Sequence, residues 1–266
     1  MLTPDRSAAI HKAWLYRILM GIADEPYLMK HLRFKGGTCA AIRGLLDRFS
    51  VDLDFDLLEA PQSKSEVSKK LENIFKDLGL AIKDKSSKVP QYFLKYPDSI
   101  QGRNTIKVEA LFPAPKSNEY EPVYLRDIDR TIICHSIETM FANKLVALMD
   151  RYEKHGSVAG RDIYDIHHFF LKGYSYKKEI IEERTKQATP LFFKKLLQFV
   201  SKHVTEKIIN QDLNYLLPAE AFQKIRKIIK QEVLMMLNDE IERLATPSSS
   251  KSNKSPDKST TPKQNY

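Results

Sequence analysis

A glycine pair followed by a row of alternating aspartates constrains this chain more than any other feature. Lys35-Gly36-Gly37-Thr38 is followed, after thirteen intervening residues, by Asp52-Leu53-Asp54-Phe55. In a strand successive side chains point to opposite faces, so Asp52 and Asp54 share one face about 7 Å apart, while Leu53 and Phe55 face a core. Two carboxylates on one face repel each other, and a bound divalent cation removes that cost. The glycines leave backbone N–H groups open to phosphate oxygens. Phosphate cradle plus carboxylate pair reads as metal-assisted chemistry on a nucleotide. Asp56 lies on the same face, so Asp54 and Asp56 remain an alternative pair. Taken alone, the aspartates also describe surface acids beside Arg43 and Arg48.

The pattern around this motif predicts a mixed fold. Thr3-Pro4-Asp5 reads as a helix start, with the helix running to about Met20. Leu28 to Phe34 reads as a strand, Thr38 to Asp47 as a helix and Val51 to Leu57 as a second strand. Ser63 and Glu66 suggest a capping box for a helix that ends at Gly79. Strands are expected at Leu80 to Lys83, Gln91 to Tyr96 and Thr105 to Leu111, then a hairpin over Tyr120 to Arg130. In Thr105 to Leu111 the acid Glu109 falls on the polar face, where a third metal ligand would stand. After residue 130 strand signals vanish. Helices are expected over Ile137 to Glu153, Arg161 to Leu171, Pro190 to Val200 and, as one long element, Pro218 to Leu244. The reading is therefore α+β: a lobe of mixed sheet and helices over residues 1–130, a helical lobe over 131–245, and a disordered tail over 246–266.

Bulk properties narrow the partners. The 266 residues carry a net charge of +9, which favours polyanions, nucleic acid first. Four lysines lie in the tail against Asp257 alone, so most of the excess belongs to the rest of the chain. Lys224, Arg226, Lys227 and Lys230 form a stripe suited to RNA phosphates or simply to solvent. Cys39 and Cys134 are the only cysteines, which rules out a disulfide framework or zinc knuckle and suits a reducing cytoplasm. No apolar run is long enough to span a bilayer and no signal peptide is visible, so a cytoplasmic protein without membrane contact is expected. His167-His168 beside Phe169-Phe170 reads as a packing pair.

Gly37-Thr38, the thirteen-residue gap, Asp52-x-Asp54 and the later Glu109 together resemble the nucleotidyltransferase superfamily pattern. That spacing favours Asp52 and Asp54 over Asp56. Threonine stands where serine is usual, and glutamate where the third acid is usually aspartate. The second half narrows the resemblance. Lys144-Leu-Val-Ala147-Leu-Met-Asp-Arg151 is similar to the K-L-x-A-x-x-x-R motif of AbiEii/AbiGii-type abortive-infection toxins, and Asp162-Ile-Tyr-Asp165-Ile166 to their D-x-x-D-[LI] motif. Phe34 to Thr38 and Ser50-x-Asp52-x-Asp54-Phe55 fit the first motif of that family, and the likeness spans roughly residues 30 to 172.

The resemblance implies a Mg²⁺-dependent enzyme that transfers NMP from an NTP donor, with two ions, or Mn²⁺ in their place, on Asp52, Asp54 and Glu109. It implies a nucleotide site of Gly36, Gly37, Thr38, Ser50, Lys144, Arg151 and Asp165, with Asp52, Asp54, Lys144 and Asp162 as the catalytic set. The acceptor it implies is the 3′ end of tRNA, and the partner a cognate antitoxin protein. From the residues themselves, Lys144 falls inside the apolar stripe Ile137, Met140, Phe141, Leu145 and Leu148, so it either snorkels to a rim or faces a cleft. Asp162 and Asp165 are expected to position Lys144 and Arg151, with Arg161 as another partner for Asp165. Two alternatives stand beside this reading: nucleotidyl transfer to a small molecule or protein, and a non-catalytic nucleotide- or RNA-binding regulator.

Overall fold

The computed structural model describes residues 1, 3, 5–59, 62–97 and 104–246. The expected tail falls outside them except for Thr246. Helix α1 (Arg6–Ala23) opens the chain, capped by Asp5, whose carboxylate accepts from the Ala8 N–H at 2.8 Å. The cap is thus Asp5 rather than Thr3. Helix α2 (Pro26–His31) follows and β1 is only Leu32–Lys35. The strand expected from Leu28 is half helix: Glu25 caps the Tyr27 N–H and Pro26 sits where its missing donor costs nothing. Leu28 and His31 then face the core together, three residues apart.

The glycine pair starts α3 (Gly36–Ile42), which is shorter than the pattern suggested because Gly44 turns the chain at φ +75°. Strand β2 is Leu53–Leu57, so Asp52 lies just ahead of it. Helix α4 (Gln62–Asp77) holds Ser63 inside its first turn, with its hydroxyl donating to the Leu58 and Glu59 carbonyls, so Ser63 and Glu66 do not form a capping box. Strands β3 (Ala81–Lys85), β4 (Gln91–Lys95) and β5 (Thr105–Leu111) match expectation closely. The hairpin is longer than expected: β6 (Tyr120–Leu125) pairs with β7 (Arg130–His135), so the sheet runs past residue 130.

These strands form one mixed sheet in the order β3-β4-β5-β2-β1-β7-β6. The central β2 runs antiparallel to β1 and parallel to β5, which sets Asp54 opposite Lys35 on one side and Glu109 on the other. Leu53, Phe55 and Leu57 are buried at 0–1% exposure, with Phe34 and Phe55 rings 5.2 Å apart beneath the glycine turn. Each such side chain is worth about 1.5–3 kcal/mol of burial. That apolar face anchors β2 and leaves the aspartates on the other.

The rest is helical: α5 (Ile137–His155), α6 (Gly160–Leu171), α7 (Lys178–Thr185), α8 (Thr189–His203), α9 (Glu206–Leu213), α10 (Ala219–Ile225) and α11 (Ile229–Ala245). The single long helix expected from Pro218 is two, separated at residues 226–228. The basic stripe is divided with it: Lys224 pairs with Glu220 and Lys230 donates to the Ser201 carbonyl. One buried cluster runs without interruption from Leu15 in α1 to Leu237 in α11, so sheet and helices share a core. Among the described residues no helix is long and apolar enough to cross a membrane.

Candidate active site

The site is built where three chain segments converge. The first is the glycine turn. Gly36 has φ +79°, and a Cβ there would stand 2.7 Å from Asp54 Oδ2; a Cβ on Gly37 would stand 2.5 Å from a terminal nitrogen of Arg48. At Gly36 glycine is thus favoured by conformation as well as by close approach, and at Gly37 by close approach alone. Thr38 is buried, and its hydroxyl lies 2.8 Å from Ser50 Oγ and also against the Asp52 carbonyl. It ties the turn to the carboxylate segment instead of facing open space.

The second segment runs from Arg48 to Asp54. Gly36, Gly37, Ser50, Asp52, Asp54, Lys144, Arg151 and Asp162 line one crevice of about 100 Å³, joined by Arg48 and Arg161. Asp54 is half-buried, and loss of water together with the Asp52 charge raises its pKa, with Lys107 and Lys35 pulling the other way. That is the repulsion the alternating aspartates imply. Glu109 pairs with Asp54 across the sheet, but its carboxylate accepts from Lys107 Nζ at 2.8 Å and from the Gln91 amide. Asp56 is fully engaged: Lys35 Nζ at 2.5 Å, His135 Nε2 at 2.7 Å, Asn118 Nδ2 at 2.9 Å and the Tyr120 hydroxyl at 3.0 Å. Burial opposes its charge, but His135 and Lys35 outweigh that and hold it well below the usual carboxylate range. Asp56 is therefore a buried strut, and the open pair is Asp52 and Asp54.

The third segment is α5 with α6. Lys144 Nζ donates to Asp162 Oδ1 at 2.9 Å and lies 3.0 Å from Asp165 Oδ2. Burial disfavours its charge, yet Asp162 and Asp165 more than offset this and its pKa is raised. Both acids are lowered despite burial, Asp162 by Lys144 and Arg151, Asp165 by Arg48 and Lys144. Arg161 is not the partner of Asp165. That partner is Arg48, 117 residues away, whose Nε and terminal nitrogen donate to Asp165 at 2.5 and 2.7 Å. Arg48 is 2% exposed and also donates to the Phe49 carbonyl. A guanidinium fork on a carboxylate is the strongest form of such a pair. Arg48 thus joins the glycine turn to the Asp165–Lys144 pair, a role the motif reading missed. Extending the alternation two residues upstream, through Ser50 to Arg48, would have pointed to it.

One pair in the crevice stays unsatisfied. Arg151 Nε and Asp162 Oδ2 are buried, 3.4 Å apart, and neither has a hydrogen-bond partner among the described residues. Buried polar groups left this way mark places where a ligand or water completes the bonding. His167 and His168 lie elsewhere, against Glu232 and Asp47.

Among the described residues no three His, Cys, Asp or Glu side chains are grouped to hold a metal ion. The donor set of Asp52 and Asp54 nevertheless suits magnesium, which is commonly held by one or two carboxylates with substrate phosphates and water, without a complete protein cage.

Comparison with known proteins places the fold and the family. No curated protein matches the chain. Two solved structures share its fold. A candidate nucleotidyltransferase from H. pylori is 20% identical with TM-score 0.55, covering 90% of this chain and 98% of its own. JHP933 from Helicobacter pylori is 20% identical with TM-score 0.52, covering 91% and 98%. The family model of the AbiEii nucleotidyl transferase toxin of type IV toxin–antitoxin systems matches residues 17–239, a span that holds the glycine turn, the carboxylates and the Lys144 network alike. The chain belongs to the AbiEii nucleotidyl transferase toxin family.

Proposed function

We propose that this protein transfers NMP from an NTP to an acceptor, the 3′ end of tRNA, and that a cognate antitoxin protein restrains it. The observation that carries the reading is one crevice holding the Gly36-Gly37 turn, the Asp52/Asp54 pair and the Lys144–Asp162–Arg151 network together. Asp52 and Asp54 would hold Mg²⁺, which when bound neutralises the triphosphate and lowers the pKa of an attacking hydroxyl, while Glu109, engaged by Lys107 and Gln91, stands outside that pair. Lys144, kept protonated by Asp162 and Asp165, offers fixed positive charge to the pyrophosphate as it leaves. Arg151 adds a second cation on the same side, and Asp162 orients both. Ser50 and the backbone of Gly36 and Gly37 border the phosphates. The net charge of +9 supports a polyanionic acceptor over a cationic small molecule.

The test is to incubate purified protein with Mg²⁺, each labelled NTP in turn, and total cellular RNA. Label is expected in the tRNA fraction and is expected to vanish with Asp52→Asn and with Lys144→Ala. A folded wild-type protein that labels no RNA, protein or small molecule would sink the enzymatic reading. Label confined to protein or small molecules would overturn the acceptor.

A further inference from the structure

Asp52 is the acid of the crevice that the sheet does not hold. The ladder of β2 pairs Leu53 with Val108 and Asp54 with Lys35 and Glu109, and it reaches no further toward the N-terminus. Residues 49–52 have no regular structure, so the two-residue period of a strand does not by itself set how Asp52 stands to Asp54. Individual hydrogen bonds hold this stretch instead. Arg48 donates to the Phe49 carbonyl at 2.8 Å, the Phe49 N–H donates to the Leu216 carbonyl at 2.9 Å, and the Thr38 hydroxyl lies against the Asp52 carbonyl. The Val51 carbonyl, one residue before Asp52, is taken by His11.

His11 belongs to α1, 40 residues before Val51, and its Nε2 stands 2.9 Å from the Val51 oxygen. A carbonyl only accepts, so Nε2 carries a proton and donates it there. Nδ1 lies 3.1 Å from the Tyr96 hydroxyl. The imidazole also meets the Phe49 and Tyr96 rings edge to face, each with centroids 5.7 Å apart, and Tyr96 stacks on Trp14 of the same helix at 5.5 Å. His11 is 1% exposed, and Phe49 and Val51 are 4% exposed. A ring bonded at both nitrogens and packed on two sides has one orientation. His11 is not among the residues that line the crevice. Its route to the acids is the Val51 backbone.

Magnesium demands near-ideal octahedral geometry, with ligands at about 2.0–2.1 Å. Residues that support such a site must hold it within about 0.5 Å. We infer that His11 is a positioning residue of the crevice: by fixing the Val51 carbonyl from α1 it sets the place of Asp52 beside Asp54, and so the affinity of the pair for a divalent cation. The inference rests on the reading of Asp52 and Asp54 as the metal pair of a nucleotidyl-transfer site.

The test is titration of Mn²⁺ into each protein, with the free ion read by electron paramagnetic resonance and folding checked by circular dichroism and melting temperature. The site of interest is the one lost in Asp52→Asn. His11→Phe keeps a ring of similar volume and removes the donor; His11→Asn keeps an amide that ends short of Val51. Both are expected to weaken that Mn²⁺ site at least tenfold. His11→Gln, whose amide nitrogen reaches the place of Nε2, is expected to stay within threefold of wild type. Leu15→Ala opens a fully buried position of the same helix, in the main core and not in the small cluster that holds Phe49 and Val51. It is expected to lower the melting temperature and leave Mn²⁺ affinity within twofold. Wild-type affinity in folded His11→Phe or His11→Asn would overturn the inference and leave the metal pair standing. Equal losses in His11→Gln and His11→Asn, or a tenfold loss in Leu15→Ala, would make His11 a core residue and nothing more. A folded wild type without an Asp52-dependent Mn²⁺ site removes the metal reading of the pair and the inference with it.

Discussion

At the scale of single residues, the arrangement turns on which charges are already spent. Asp56 and Asp165 are saturated by partners, whereas Asp52, Asp54 and one oxygen of Asp162 remain open to the crevice. Arg48 carries the largest structural consequence. It is buried against a buried carboxylate, and removing one member of such a pair costs about 3–5 kcal/mol because the other charge is stranded. Arg48→Met is therefore expected to lose about that much stability in denaturant titrations. Combining it with Asp165→Leu is expected to restore much of the stability, since an apolar pair of similar volume is often neutral. Nucleotidyl transfer is expected to stay low in the double variant, because Lys144 has then lost one of the two acids that place it. Full recovery of activity would show that Asp165 does not position Lys144.

Two glycines mark close approaches between elements. Gly36→Ala forces a left-handed backbone on alanine, at about 1–2 kcal/mol, and drives its Cβ to within 2.7 Å of Asp54 Oδ2. Activity is expected to fall sharply while the melting temperature moves only a few degrees; a variant of normal activity would show that the turn need not sit against Asp54. Gly160 begins α6 where it crosses α9, and a Cβ there would stand 2.7 Å from the Ile208 carbonyl oxygen, a backbone atom that cannot swing aside. Gly160→Ala is expected to destabilise by about 1–3 kcal/mol, as overpacking does, and the measurement is the midpoint of urea unfolding. Local signals at this scale differ in legibility. The glycine turn, β4, β5, α5 and α6 were legible because period and punctuation agreed. The α2 segment and the break between α10 and α11 were not, because short helical turns carry too few repeats to stand out from a strand or from a continuous helix.

For the whole molecule, the buried acids make stability depend on pH. Asp56, Asp162 and Asp165 are all lowered relative to an ordinary carboxylate, each by neighbouring cations that outweigh burial. A group lowered on folding binds protons more readily when unfolded. Its contribution is therefore complete above the unfolded carboxylate value of about 3.9 and is lost as pH falls through the folded value. Unfolding free energy is expected to hold from pH 7 to about 5 and to drop steeply below about 4. In Asp165→Asn the drop is expected to be shallower. An equal slope in both proteins would mean that Asp165 is not held charged by folding.

Taken alone, the sequence determined the α+β class and the order of strands before helices, and it singled out the glycine turn, Asp52 and Asp54 as candidate positions for chemistry. These follow from local rules: the two-residue period of a strand, the helical stripe, and the conformational freedom of glycine; Lys144 and Asp162 were singled out by the resemblance to AbiEii-type motifs. The superfamily spacing favoured Asp52 over Asp56 as the companion of Asp54, but only the tertiary structure supplied the physical ground, by surrounding Asp56 with Lys35, Asn118, Tyr120 and His135. It also gave Asp165 to Arg48 instead of Arg161, and turned Glu109 toward Gln91 and Lys107. The physical reason is common to all three. A carboxylate is committed or open according to which cations and donors the fold brings within about 3 Å. For Asp56 and Asp165 most of those partners stand tens of residues away in the chain, beyond any local period. For Glu109 they are near neighbours on β4 and β5, and only strand register and side-chain direction decide between them and the crevice.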